Sequence, residues 1–265
     1  MKIGIVGIGV VGNATMTSFI QKGIDVTAYD KFKNIGDIGE VLKADMIFLC
    51  LPTLYDMSIK SYNKEALHEV CNFLSDKEYN GPVIVKSTVE PGTTNTLAKK
   101  YKLQMIHNPE FLTARTAFED FHNQTHIIIG SSDEVNVNNL NLVVEFFKSN
   151  YSSAMITNCS STESEIIKIS CNCFYAVKIQ FCNELYLMCQ KLNIDYSFVM
   201  KTMIKNGWIN PMHTQVPGTD GKLSFGGMCF PKDVNALLSF MKEINTPHSV
   251  LESVIQERDI IRGED

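Results

Sequence analysis

A cysteine stands between a glycine pair and a Pro-Lys-Asp triplet at residues 225–233, FGGMCFPKD. Pro231 suits the first turn of a helix and KDVNALLSF continues it, so Cys229 falls just before a helix N-terminus. The free N–H groups and dipole at such a terminus favour a thiolate. Gly226 and Gly227 leave room for a substrate close to the backbone. Asp233, one turn further on, is placed to orient a water or to hold Lys232. Local context leaves two readings of Cys229 open, nucleophile or buried structural thiol, because free cysteine is so commonly buried. The remaining cysteines read as ordinary: Cys171, Cys182 and Cys189 share one helical stripe, as core or dimer-contact residues would. Cys171 and Cys173, two apart on a helix, point to different faces, which is poor geometry for zinc, and no metal is expected.

The second chemical signal lies at the start of the chain. VGIGVVGN sets Gly7, Gly9 and Gly12 in the G-x-G-x-x-G spacing, after the strand-like KIGIVG and before a helical stretch from Val11 to Lys22. Gly7 turns tightly, Gly9 lets the backbone approach a pyrophosphate, and Gly12 permits close helix–strand packing. Val10 and Val11, where the glycine turn meets that helix, are also expected at the cofactor. Asp30 ends the next strand, where a carboxylate accepts from a ribose hydroxyl and repels a 2′-phosphate. That favours NAD over NADP, with Lys31 and Lys33 nearby pulling the other way.

FGGMCFPKD resembles the signature of the UDP-glucose/GDP-mannose dehydrogenase family, and three further stretches agree in order. They are VKSTVEPGTT (85–94), HNPEFLTARTAFEDF (107–121) and ESEIIKISCNCFYAVKIQFCNE (163–184). The resemblance implies an enzyme that oxidises a nucleotide-sugar alcohol to a carboxylate with two NAD. In it Cys229 is the nucleophile, forming a thiohemiacetal and then a thioester. Lys168 stabilises oxyanion charge with Asn172 beside it, Asp233 positions water, Glu110 is a general base, and Thr88 organises water and nicotinamide. Lys168 and Asn172 also share a helix face by spacing alone, where a lysine would otherwise be a solvated charge. The resemblance further assigns Lys31, Pro52, Thr53, Ser87 and Thr88 to the cofactor, and Glu110, Phe111, Leu112, Lys168, Asn172, Phe225, Gly226, Gly227 and Cys229 to the sugar. His107, His122, His126 and His213 read as polar packing or loop contacts.

Four departures from the family pattern stand out. Ala114 replaces a glutamate, Trp208 replaces an arginine, and Leu54 replaces a proline. The sequence also stops at RDIIRGED, before the family's second Rossmann-like domain, which leaves weak affinity, an open site or completion by another subunit as the expectations.

The elements that must position these residues follow from the pattern. DVTAYD, DMIFLCL, PVIVKS and HIIIG read as further strands, alternating with helical stretches at 63–74, 93–100 and 134–147. Strand–helix alternation predicts an α/β fold with a parallel sheet covered on both faces. Residues 161–191 carry a long helical pattern without glycine or proline, and shorter helices are expected at 196–205, 234–242 and 249–262. The expected organisation is a Rossmann-like NAD-binding domain over 1–157 and an all-α domain on a long central helix over 158–265. That long helix, through its apolar positions in 166–187, points to a homodimer.

The chain has 265 residues, 45% apolar and 20% charged, and a net charge of −5, which argues against a nucleic-acid or acidic-membrane binder. Met1-Lys2 leads into an apolar run too short for a signal peptide, and eight cysteines in a chain of this size suit a reducing cytoplasm. UDP-glucose is the expected substrate, with GDP-mannose or a UDP-N-acetylhexosamine as alternatives. Two other readings stay open. One is a degenerate binding or regulatory protein; the other is a two-electron 3-hydroxyacid dehydrogenase, which has no use for Cys229.

Overall fold

The computed structural model describes residues 1–263 and divides into two compact units. Unit 1 comprises Met1–Leu54 and Tyr62–Lys168; unit 2 comprises Tyr55–Ser61 and the residues from Ile169 onward.

Unit 1 begins with β1 (Lys2–Val6), α1 (Val10–Gln21), β2 (Asp25–Tyr29), the single turn α2 (Ile38–Val41) and β3 (Met46–Leu49). The chain then passes through a small ribbon, β4 (Tyr55–Asp56) and β5 (Ser61–Tyr62), whose residues up to Ser61 belong to unit 2, and unit 1 resumes with α3 (Glu65–Asp76), β6 (Pro82–Val85), α4 (Thr93–Tyr101) and β7 (Gln104–His107). A 3₁₀ turn (Ala114–Thr116) and α5 (Ala117–His122) then lead to β8 (His126–Ser131), α6 (Val137–Asn150) and β9 (Met155–Ser160). Seven strands form one sheet in the order β2-β1-β3-β6-β7-β8-β9.

Both faces of this sheet are covered, and the pleat divides the strand residues between them. Met46 and Phe48 of β3 and Ile84 of β6 join Ile3 and Ile5 in a core with α1, α5 and α6, built on Phe19, Phe121, Phe146 and Phe147. Ile47, Leu49, Val83 and Val85 point the other way, into a core with Leu67, Val70 and Leu74 of α3 and Leu97 and Ala98 of α4. Phe19 meets Phe48 and Phe146 edge-on at centroid distances of 5.3 and 5.2 Å, a geometry that adds to simple burial.

One pairing departs from the expected all-parallel sheet: β7 and β8 run antiparallel. Their link carries only the 3₁₀ turn and the six-residue α5 as regular structure, where a parallel pair needs a full crossover. The chain therefore re-enters the sheet from the opposite end, and α6 then returns it so that β9 is parallel to β8.

The 31-residue helix α7 (Ser161–Lys191) starts in unit 1 and continues into unit 2. Unit 2 adds α8 (Tyr196–Ile204), α9 (Phe230–Glu243) and α10 (Ser249–Arg262). Cys182 and Cys189 of α7 pack with Tyr196 and Met200 of α8 in a small core. Asp195 caps α8 by accepting from Ser197 N, the turn chemistry expected of a short acidic side chain there. Among the described residues no helix is long and apolar enough to cross a membrane.

Candidate functional site

The residues with chemical potential fall into two groups, one in each unit. In unit 1 the glycine turn links β1 to α1. Gly7 takes φ +90°, and a Cβ there would stand 2.5 Å from the Cys50 carbonyl oxygen. At Gly12 a Cβ would stand 1.9 Å from the Gly7 carbonyl oxygen, so helix and turn can approach only through glycine. Gly9 differs: a Cβ there meets no protein atom within 4 Å. Gly9 also caps α1 without a side-chain acceptor, so the first-turn N–H groups are left for an outside anion.

Asp30 holds this turn from below. Its Oδ2 accepts from Ile8 N at 2.8 Å, and its Oδ1 accepts from Phe32 N and Lys33 N at 3.0 and 2.9 Å. Partial burial pushes the carboxyl up, but these three backbone donors and the Lys33 charge outweigh it and hold Asp30 below the ordinary carboxylate value. Of the two lysines beside it, Lys31 Nζ lies 2.7 Å from Glu69 and Lys33 Nζ donates to the Ile8 carbonyl at 2.6 Å. A cleft of about 390 Å³ opens at the ends of β1, β2 and β3, lined by Gly7, Asp30 and Pro52 and by the rings of Tyr29, Phe32 and Phe73. Clefts at the carboxyl ends of such strands take dinucleotides. The cleft, the open face of Gly9 and the uncapped α1 terminus together fit NAD, which Gly7, Gly9, Val10, Val11, Gly12 and Asp30 would hold. The aromatic lining escaped the sequence reading; three rings outside any motif leave no pattern to find.

Beside the same strand ends, Thr53 Oγ1 donates to the Thr88 carbonyl at 2.7 Å. Ser87 Oγ both donates to Leu51 O and accepts from Leu51 N, at 2.7 and 3.0 Å. Thr53, Ser87 and Thr88 are all buried. The Lys168 ammonium lies 3.0 Å from Glu110 Oε1 and 5.3 Å above the Phe111 ring, while Glu110 Oε2 accepts from Leu112 N at 2.7 Å. Lys168 is thus a buried, paired cation rather than a solvated one. Ala114 sits exposed in the 3₁₀ turn that follows.

Two more buried charges, absent from the sequence reading, support this region. Lys86 donates to both oxygens of Asn108, at 3.0 Å to the carbonyl and 2.8 Å to Oδ1, and burial pulls it down to about 8. Glu165 accepts from Gly92 N and Thr94 N at 2.6 and 2.7 Å. Burial pushes it up to about 7, against those hydrogen bonds and with help from the Glu90 charge. Lys86 did leave a trace, as the one charge ending the apolar run PVIVK.

In unit 2, Cys229 is the N-cap of α9, exposed and outside any disulfide, with Pro231 in the first turn. Asp233, fully buried, takes Asn172 Nδ2 on Oδ2 and Lys232 Nζ on Oδ1, both at 2.5 Å. Cys173 Sγ donates to the Asp233 carbonyl at 3.5 Å. Phe225 is buried ahead of the cysteine, Gly227 takes φ +76°, and Trp208 is exposed over 92% of its surface. Each expected histidine packs locally. His107 meets Ser164, His122 meets Ser18, His126 meets Thr157, and His213 lies against Tyr175.

Comparison with known proteins identifies the family. Residues 31–149 match the model of the UDP-glucose/GDP-mannose dehydrogenase family, NAD binding domain, and residues 162–258 match that of the same family's central domain. UDP-glucose 6-dehydrogenase YwqF of Bacillus subtilis is 28% identical, over 97% of this chain and 65% of that protein. GDP-mannose 6-dehydrogenase of Pseudomonas savastanoi is 27% identical, over 91% of this chain and 56% of that protein. The chain thus spans about two thirds or less of these relatives. Among solved structures, a UDP-glucose dehydrogenase from Pyrobaculum islandicum shares the fold at a TM-score of 0.86 and 23% identity, over 98% of this chain and 68% of that one. A 3-hydroxyisobutyrate dehydrogenase of Mycobacterium tuberculosis shares it at 0.76 and 13%, over 100% of this chain and 96% of that one. With both its NAD-binding and its central region matched, this chain belongs to the UDP-glucose/GDP-mannose dehydrogenase family.

Proposed function

We propose that the chain is a NAD-dependent nucleotide-sugar 6-dehydrogenase that oxidises UDP-glucose to UDP-glucuronate through covalent intermediates on Cys229. The observation that carries this reading is an exposed cysteine at the N-terminus of α9, in a chain of this family, with a buried Asp233 hydrogen-bonded to Asn172 on the same unit. A two-electron hydroxyacid oxidation gives such a cysteine no task.

NAD, when bound, accepts one hydride in each of two oxidations. Loss of hydride from the C6 carbon and of a proton from its hydroxyl gives an aldehyde. Cys229 Sγ adds to that carbon, forming a C–S bond, and the carbonyl oxygen becomes the hydroxyl of a thiohemiacetal. Hydride and proton loss from this adduct leave a thioester, and water cleaves the C–S bond to release carboxylate and thiol. Lys168 supplies positive charge to the oxyanions, with Asn172 as a neutral donor. Glu110 takes the proton of the attacking water, and Asp233 and Thr88 orient that water.

The protein acts as a cytoplasmic homodimer in this proposal. Ile167, Phe174, Phe181 and Met188 recur every seven residues on α7 and are exposed, a stripe suited to a second helix. GDP-mannose and UDP-N-acetylhexosamines are the competing substrates. Ala114 and the exposed Trp208, where family members carry charge, favour one rival reading, a binder without turnover.

The test is to incubate the protein with NAD and each nucleotide sugar in turn and follow nicotinamide absorbance. NADH formation with UDP-glucose above the other sugars is expected. NAD binding without NADH from any of them would leave the non-catalytic reading.

A further inference from the structure

The last helix of unit 2 reaches back to the loop that delivers Cys229. Arg258 and Arg262 lie four residues apart on α10 and so share one face. Arg258 Nε donates to the Phe225 carbonyl at 3.1 Å, and its guanidinium lies 5.8 Å from the Phe225 ring centroid. Arg262 Nη1 donates to the carbonyls of Leu223 and Ser224 at 3.1 and 3.4 Å, while Nη2 pairs with Asp220 Oδ2 at 2.5 Å. Only 4% of the Arg262 side chain is exposed.

The opposite side of the loop is held as firmly. Ser224 N donates to Asn183 Oδ1 at 2.8 Å, and Ser224 Oγ donates to Gln180 Oε1 at 2.6 Å, both acceptors on α7. Ser224 is left-handed at φ +58°, a conformation that a non-glycine residue keeps only when its surroundings impose it. A trans peptide sends the Leu223 carbonyl and the Ser224 N–H in opposite directions, so one arginine and one asparagine grip the same peptide from two helices.

Gly226 completes the arrangement. A Cβ there would stand 2.2 Å from Arg262 Nη2, whereas one at Gly227 meets nothing within 4 Å. Of the two glycines before the cysteine, only the second faces open space; the first is filled by the protein itself.

We propose that Arg258 and Arg262 are positioning residues that set the cysteine loop, and that Gly226 is glycine to admit the Arg262 guanidinium. They act through the backbone of 223–226 on where Cys229 Sγ sits at the α9 terminus. The proposal rests on the reading of Cys229 as nucleophile, but its test does not need turnover.

The readout is the rate at which iodoacetamide alkylates Cys229, followed by peptide mass spectrometry so that the other seven cysteines are scored separately. Arg262→Met is expected to slow alkylation of Cys229 about tenfold, the effect of losing charged hydrogen bonds that hold the loop. Gly226→Ala, which displaces the guanidinium without removing it, is expected to match Arg262→Met. The double variant is expected to be no slower than either single one, since both break the same contact. Where turnover is measurable, kcat falls in these variants while the KM for NAD stays unchanged. Alkylation unchanged within about twofold in Gly226→Ala, or a fully additive double variant, would overturn the proposal. If Arg262→Met does not fold, Gly226→Ala and the milder Asp220→Asn carry the decision. If the parent protein transfers no hydride, the alkylation rates still report on the clamp, so the two readings fail separately.

Discussion

Two glycine loops in this chain each feed a helix N-terminus, and they are anchored with opposite polarity. In the turn before α1, the Asp30 carboxylate grips backbone N–H groups. In the loop before α9, the guanidinium groups of Arg258 and Arg262 grip backbone carbonyls. The turn before α1 has two glycines crowded by the protein's own atoms, Gly7 and Gly12, and one that meets none, Gly9; the loop before α9 has one of each, Gly226 and Gly227. The crowded glycine serves the fold, and the open one is available to a ligand. The same residue type in the same motif therefore answers to two different pressures, which only the packing separates.

Two substitutions in unit 1 sharpen that distinction. Gly12→Ala forces a methyl group into the Gly7 carbonyl and is expected to destabilise the chain by about 3 kcal/mol, read by urea unfolding. Gly9→Ala should leave the unfolding midpoint where it is and weaken NAD binding about tenfold in calorimetry, because only the ligand needs that space. Equal losses of stability in the two variants would erase the contrast.

The smallest effect concerns Glu165. Its folded pKa is raised from 4.5 to about 7, so the folded chain binds more protons than the unfolded one between those values. The contribution is fully present below the unfolded pKa and is lost as pH rises through about 7. The melting temperature of the parent should therefore fall more steeply from about pH 5 to 7.5 than that of Glu165→Gln. Parallel slopes would show that the staple at Gly92 and Thr94 does not titrate in that range.

Legibility followed the distance over which each signal acts. The long helix could be read because 161–191 contain no breaker, and Cys229 could be placed at a helix start because Pro231 lies two residues away. Asp30 followed from its spacing to the glycine turn. The strands β7 and β9 were harder: QMIH is four residues long, and MITNCS is half polar, so neither shows a clean period. The reversal between β7 and β8 depends on how the 108–125 link packs, which no local pattern records. Arg262 was invisible because its partners stand 38 to 42 residues earlier, and a terminal arginine on an exposed-looking helix resembles any solvated charge.

The division of labour, cofactor on unit 1 and covalent chemistry on Cys229, is tested most directly by counting NADH against uronate. With UDP-glucose and excess NAD, the parent is expected to give two NADH per UDP-glucuronate, and Cys229→Ala to bind NAD normally yet form no uronate. Uronate from the Cys229→Ala variant at the parent's rate would contradict the account.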